Sequence, residues 1–371
     1  MKTLLLTDSA DDIRRAAGII RRGGLVGFPT ETVYGLGADA LNADAVRRVY
    51  AAKGRPSDNP MIVHISDRDE LGGLTAEVTA DMRKLMDAFW PGPMTMIARR
   101  DPKIPDVTTG GLDTVGIRLP SNKVARELIR LSGCPIAAPS ANISGKPSPT
   151  TAEHVINDLG GRIDAVIVGR DCDIGIESSV IDMTGDVPVI LRPGAVTAEM
   201  LSVVLDKEVR FDSALKVRPE VIIDPEDAVS YRRERNLCAR VDTAFPCGDN
   251  DTAGCGGEGF RPKSPGMKYR HYAPNAAMTV YDGASDSVRE AMREDADRLR
   301  AAGKTVTVIE LDRSPDGEKR AAHDLFAALR GADENGADVI LINALPEEGL
   351  GFSVMNRVLK SAGYNIRKVR G

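Results

Sequence analysis

Short apolar runs alternate with amphipathic stretches along most of this chain, and the two rhythms predict strands and helices in turn. Met1 to Leu6 reads as a first strand. Ser9 can cap a helix with Asp12 three residues on; Arg21 and Arg22 fill its last turn and Gly23-Gly24 ends it. Leu25 to Phe28 predicts a buried strand. Asn42 caps a helix whose apolar face is Ala45, Val46, Val49 and Tyr50, and whose end delivers Lys53 and Arg55. Met61 to Ile65 is a strand containing His64, and a helix from Thr79 to Phe89 stops at Trp90-Pro91. Strands follow at Met94 to Ala98 and Val115 to Leu119. Ser121 caps the next helix and Gly133 closes it. Pro135 to Ala138 is a short buried strand, and Thr150 with Glu153 forms a capping box. Strands at Ala165 to Val168, Ser178 to Met183 and Val187 to Leu191 complete this part. Strands outnumber helices, which predicts a mixed sheet rather than a purely parallel one.

The rhythm is interrupted from Lys207 to Pro274. Residues 234–259 are polar and rich in glycine and cysteine, as in a connector. The string Ser264 to Pro274 is stiffened by prolines and armed with Tyr269, Tyr272, His271, Lys268 and Arg270, which a plain spacer does not need. From Asn275 strands and helices alternate regularly: Met278–Tyr281, Ser287–Ala302, Thr305–Glu310, Glu318–Arg330, Val339–Ile342 and Phe352–Ala362. Repeated βα units with short connections predict a three-layer parallel sheet. The expected organisation is a first domain over 1–206, a linker with an active-site lid over 207–274, and a second domain over 275–371.

Composition narrows the picture. The 371 residues are 42% hydrophobic and 28% charged, as in a soluble protein with a substantial core. A net charge of −5 argues against a generally basic nucleic-acid binder. No apolar run approaches the roughly 20 residues of a membrane helix, and the first residues do not form a signal peptide, so a cytoplasmic location is expected. Cysteines are five, with no CxxC; Cys238, Cys247 and Cys255 are spaced too widely for a familiar zinc ribbon, and no metal site is expected.

Several residues have both an ordinary and a chemical reading. Lys53 and Arg55, taken alone, complement the negative end of a helix. Ser140 and Asn142 can be turn residues. Arg118 is harder to set aside, because it interrupts an apolar strand and must snorkel or pair with an anion. His64 also breaks a strand, where a satisfied core histidine is the common case. Gly35-Leu36-Gly37-Ala38-Asp39-Ala40 fits a dinucleotide fingerprint on spacing alone, but lacks the strand-to-helix context. Cations and small hydrogen-bonding groups together are what a site needs to hold a triphosphate, and no Walker-type loop is present.

In order, Phe28 to Gly37, Lys53-Gly54-Arg55-Pro56 with Asn59-Pro60, Trp90 to Thr95, Arg118-Leu119-Pro120, Pro139-Ser140-Ala141-Asn142, Glu177 to Val180 and Arg192-Pro193-Gly194 resemble the YrdC-like family of threonylcarbamoyl-AMP synthases. The Ser264 to Pro274 string and the α/β region after it resemble the family's longer, two-domain form. The resemblance implies an α/β fold: a YrdC-like mixed twisted sheet with flanking helices, then a smaller Rossmann-like parallel domain. It implies that L-threonine, bicarbonate and ATP become threonylcarbamoyl-adenylate and pyrophosphate, with Mg²⁺ carried mainly by the ATP phosphates. A separate complex then transfers the group to tRNA beside the anticodon, so tight tRNA binding is not expected. Carried over by residue, Lys53, Arg55, Ser140 and Asn142 are catalytic. Arg55, Asn59, Thr114, Ser140, Ser148, Arg192 and Tyr269 bind ATP. Thr32, His64, Arg118, Ala138 and Ser178 bind threonine. The Tyr269 segment would fold over the occupied site. The rival readings are an RNA-binding or ribosome-assembly factor without turnover, and a carbamoyl-transfer module. Low aromatic content and net acidity weigh against the first; missing acylphosphatase-like and zinc-finger regions weigh against the second.

Overall fold

The computed structural model describes residues 2–215, Pro225, Pro262, Ser264 and 272–370. Tyr269, most of the string around it and Cys238, Cys247 and Cys255 lie outside the described residues. The chain divides into two units. The first holds the described residues up to Asp212 except Gly145–Pro147, together with Pro262 and Ser264; the second holds Gly145–Pro147, Ser213–Leu215, Pro225 and the residues from Tyr272 onward.

In the first unit the strands are β1 (Leu4–Thr7), β2 (Val26–Phe28), β3 (Gly35–Asp39), β4 (Ile62–His64), β5 (Met94–Arg99), β6 (Thr114–Arg118), β7 (Ile136–Ala137), β8 (Ala165–Val168), β9 (Ser179–Asp182), β10 (Val189–Arg192) and β11 (Arg210–Phe211). They form one eleven-stranded sheet in the order β1-β8-β2-β3-β7-β4-β6-β5-β9-β10-β11. Parallel and antiparallel pairs are mixed, as the excess of strands over helices predicts.

Helices cover the sheet with the apolar stripes read from the sequence. Ser9 accepts the Asp12 N–H and starts α1 (Ala10–Arg21). Its Ile13, Ala16, Ala17 and Ile20 bury against Val26 and Phe28 of β2, and against Ala125, Leu128 and Ile129 of a later helix. Each large side chain buried there stabilises the fold by about 1.5–3 kcal/mol. Asn42 caps α2 (Ala43–Lys53), α3 (Ala80–Phe89) starts at Thr79, and α4 (Asp106–Thr109) is a single turn. The cap of α5 (Lys123–Ser132) is Asn122, not the expected Ser121, because the Asn122 amide oxygen reaches the Val124 and Ala125 N–H groups. Likewise Thr151, not Thr150, caps α6 (Ala152–Leu159) by accepting the His154 N–H. Helix α7 (Ala198–Leu205) follows β10 and precedes β11.

The second unit has a parallel sheet of β12 (Ala277–Asp282), β13 (Val306–Ile309), β14 (Val339–Asn343) and β15 (Ile366–Lys368), ordered β13-β14-β12-β15. Among the described residues its longer helices are α8 (Ser285–Ala301), α9 (Pro315–Glu334) and α10 (Gly349–Ala362). Val288, Met292, Ala296 and Leu299 of α8 pack on Tyr281, Val339 and Leu341. No helix among the described residues is long and apolar enough to cross a membrane.

Candidate active site

Three adjacent strands of the first unit carry polar side chains at one level. Register pairs His64 on β4 with Arg118 on β6, and Arg118 with Thr95 on β5. Register partners project from the same face of a sheet, so the three side chains converge. The parallel strands β4 and β6 end at this level, while β5 and its parallel neighbour β9 begin there. The edge therefore collects four loops, which is where a rigid sheet places chemistry.

The turn between β2 and β3 supplies Thr30, Glu31 and Thr32, all buried. Thr30 folds the turn on itself: its hydroxyl bonds to the Val33 carbonyl at 2.6 Å and meets the Thr32 hydroxyl at 2.9 Å. The turn presents Thr32 to Arg118, whose Nη1 donates to Thr32 Oγ1 at 3.0 Å. Arg118 Nη2 lies 2.7 Å from Glu31 Oε1, and both side chains are about 95% buried, at 5% and 4% exposure. Burial alone would raise the Glu31 carboxyl. The Arg118 guanidinium outweighs burial and holds it below the usual carboxylate value. Burial and then the Arg118 charge push His64 down to about 3, so its imidazole is neutral at ordinary pH.

The next group is hydrogen-bonded to the first. Thr95 Oγ1 and Ser178 Oγ are 2.8 Å apart. Arg192, at the end of β10, donates from Nε to the Ser178 carbonyl at 3.0 Å and from Nη2 to the Ser178 hydroxyl at 3.1 Å. The chain can turn here only because residue 194 is glycine: a Cβ would stand 2.5 Å from the Ser179 nitrogen and 2.9 Å from the Glu177 carbonyl oxygen. Glu177 accepts from the Ser148 hydroxyl at 2.5 Å, and both residues are buried.

The third group sits at the end of α2. Gly54 adopts the left-handed conformation, φ 61°, which ends the helix and turns Arg55 away from its axis. Lys53 is buried, and its ammonium donates to the Ser140 carbonyl and, at 2.5 Å, to the Asn142 carbonyl. The Ser140 hydroxyl donates to Asn142 Oδ1 at 2.5 Å. Arg55 bonds to Asn59 Oδ1 at 2.7 Å and to the Pro60 carbonyl at 2.8 Å. Tyr50 fastens the same turn by donating to the Asn59 and Val107 carbonyls, both at 3.0 Å. The backbone joins this group to the first: Ala141 N–H donates to the Tyr34 carbonyl at 2.8 Å, two residues after Thr32.

Thr32, His64, Arg118, Ser178 and Arg192 are thus brought together, as are Lys53, Ser140 and Asn142, and Arg55 with Asn59. Ala138 lies just past β7, its N–H bonded to the Ile62 carbonyl at 2.9 Å. Thr114 is at the far end of β6 from Arg118, opposite Arg99 on β5. It stands apart from the Arg118 group and nearer the Asn59–Pro60 turn, since β6 runs beside β4 from Ile62 onward. Tyr269 is outside the described residues.

A family model described as telomere recombination matches residues 18–194, and one described as threonylcarbamoyl-AMP synthase, C-terminal domain, matches residues 196–363. The threonylcarbamoyl-AMP synthase of Pyrococcus abyssi is 44% identical, over 96% of this chain and 96% of its own length. The chain belongs to the threonylcarbamoyl-AMP synthase family. A Bacillus subtilis member is 40% identical over 97% of this chain and 96% of its own; a Schizosaccharomyces pombe member is 32% identical over 96% and 89%. The crystal structure of P. abyssi Sua5 complexed with L-threonine superposes with a TM-score of 0.83 at 42% identity, covering 100% of this chain and 99% of that one.

In this threonylcarbamoyl-AMP synthase family member, Glu31, Thr95 and Glu177 stand among the expected site residues although sequence reasoning gives them no role. Each falls inside a string that carries the resemblance. A physical signal was available for Glu31: an acid within Phe28 to Gly37, an otherwise mostly apolar string, needs a buried cation, and Arg118 needs a buried anion.

Proposed function

We propose that the protein condenses L-threonine, bicarbonate and ATP into L-threonylcarbamoyladenylate and pyrophosphate. The threonine amine attacks the bicarbonate carbon and water leaves, giving a carbamate. A carbamate oxygen then attacks the α-phosphorus of ATP; the bond from that phosphorus to the bridging oxygen breaks, and pyrophosphate departs with its electron pair. No protein nucleophile takes part. The work is to hold mutually repelling anions in line and to neutralise their charge.

In this reading Arg118 takes the threonine carboxylate, with Thr32, Ser178 and backbone at Ala138 around the rest of the amino acid. A histidine with a pKa near 3 cannot serve as a proton store. His64 therefore orients threonine by hydrogen bonding and adds no cation beside its amine. Arg55, Asn59, Thr114, Ser140, Ser148, Arg192 and Tyr269 take ATP. Lys53 acts through the carbonyls of Ser140 and Asn142, setting the loop whose hydroxyl and amide meet the reacting phosphate. Magnesium enters on the ATP phosphates. The product then passes to a separate complex that modifies tRNA.

The observation that supports this most directly is the buried Arg118 guanidinium at one level with His64 and Thr95. The test uses ATP and labelled bicarbonate with threonine or with no amino acid. Pyrophosphate release that requires threonine, with label appearing in an adenylate, is expected. Release indifferent to threonine overturns the proposal.

A further inference from the structure

The Glu31–Arg118 pair is close but poorly joined. A guanidinium has five N–H hydrogens. Two are used within the described residues, Nε–H to the Gly92 carbonyl at 3.4 Å and one Nη1–H to Thr32. Nη2, 2.7 Å from Glu31 Oε1, makes no aligned hydrogen bond, and neither do the two Glu31 oxygens. All three atoms are shut off from solvent. The contact balances charge and leaves hydrogen-bonding capacity on Arg118 unspent. Nη2 is enclosed together with both Glu31 oxygens, so Glu31 does not itself meet a ligand; a carboxylate would take the second Nη1–H, and Glu31 acts on it only through the guanidinium.

Resting on the reading of Arg118 as the threonine carboxylate's partner, we propose that Glu31 is its resident counter-ion, a positioning residue that stabilises the empty site and competes with the incoming carboxylate. An empty site without Glu31 would bury an uncompensated guanidinium, which is strongly unfavourable. A site with Glu31 must accept a second carboxylate beside a single cation, which weakens amino-acid binding. Glu31 therefore trades affinity for a pocket that is already formed when threonine arrives. Thr32 sets the geometry: bonding from Nη1 fixes the guanidinium plane, and the neighbouring residue of the same turn supplies the charge.

The test is calorimetric titration of the full-length chain, without ATP or bicarbonate. Glu31→Gln keeps the shape of the side chain and removes its charge. The variant is expected to melt at a lower temperature than wild type when empty, yet to bind threonine about tenfold more tightly. L-Threoninamide, which lacks the carboxylate, is expected to show no such gain. Unchanged or weaker threonine binding by folded E31Q overturns the proposal, and so does an equal gain with the amide. If E31Q does not fold, Glu31→Asp draws the carboxylate back by one methylene and is expected to bind threonine about threefold more tightly; unchanged or weaker binding there overturns it equally. A wild-type protein that takes up no threonine sinks the functional reading itself, whereas normal wild-type uptake without these differences sinks the role of Glu31 alone.

Discussion

His64 shows how one buried side chain carries an electrostatic cost in the fold. The unfolded imidazole titrates near 6.5, whereas the folded one is pushed down to about 3, first by burial and then by Arg118, with Glu31 opposing. Between those values the unfolded chain holds a proton that the folded chain lacks. The resulting penalty is absent above pH 6.5, grows as pH falls, and is complete below about 3, with a slope of up to about 1.4 kcal/mol per pH unit. Glu31, held below its ordinary value, withdraws stability in the same direction but only below about 4.5. Denaturant unfolding of His64→Gln between pH 6.5 and 5 isolates the histidine. We expect the loss of stability with acidification to be smaller than in wild type, and parallel curves would show that His64 is not buried neutral. At this scale the sequence reveals Arg118 by a simple rule, that a cation interrupting an apolar strand needs an anion. Glu31 is legible as an acid in need of a cation, but its pairing with Arg118 is not, because the β2–β3 turn that brings it to β6 is a tertiary event.

Among the elements, helix α2 shows how a local signal acquires a distant meaning. Its cap, its stripe and its glycine stop are all legible, and they place Lys53 at the end of a buried face. By charge alone Lys53 reads as a complement to the helix dipole or a phosphate ligand, yet its ammonium bonds to the carbonyls of Ser140 and Asn142. Lys53→Met keeps the apolar stem and removes those donors. Each hydrogen bond to a charged group is worth about 1.5–3 kcal/mol, and carbonyls left buried without a donor add to the loss. We expect pyrophosphate release to fall by about a hundredfold or more, with stability lowered by about 2–4 kcal/mol; a variant of normal stability and turnover would remove Lys53 from the loop's support. Two of the elements the sequence misses have identifiable causes. Strand β3 is Gly-Leu-Gly-Ala-Asp, poor in β-branched residues, and exists because the hairpin packs tightly: a Cβ at Gly37 would meet Phe28 and Ile136 at 2.8 Å. Helix α4 is a single turn, too short for periodicity to register. The misplaced caps at Ser121 and Thr150 each err by one residue, where two neighbouring side chains are both able to cap and only backbone geometry chooses.

At the scale of the whole molecule, each unit has its own sheet and core, and the described residues proposed to bind threonine all belong to the first unit. Hydrogen bonds there link segments far apart in sequence: Thr32 to Arg118, Ile65 N–H past the end of β4 to the Arg118 carbonyl, Thr95 at the start of β5 to Ser178, and Ser178 to Arg192. A carboxylate bound at Arg118 would load this network at its centre. Local opening that exposes these amides must then first release the ligand, so their exchange should slow in proportion to occupancy. We expect saturating threonine to slow amide hydrogen exchange by at least about tenfold at Val33, His64, Ile65 and Ser179, whose N–H groups lie in or beside the network. Exchange in β12 and β14 is expected to stay unchanged, because their amides are protected by a separate parallel ladder around Val280 and Leu341. Uniform slowing across both sheets would mean that the units open together, and slowing confined to β12 and β14 would move the amino-acid site out of the first unit altogether.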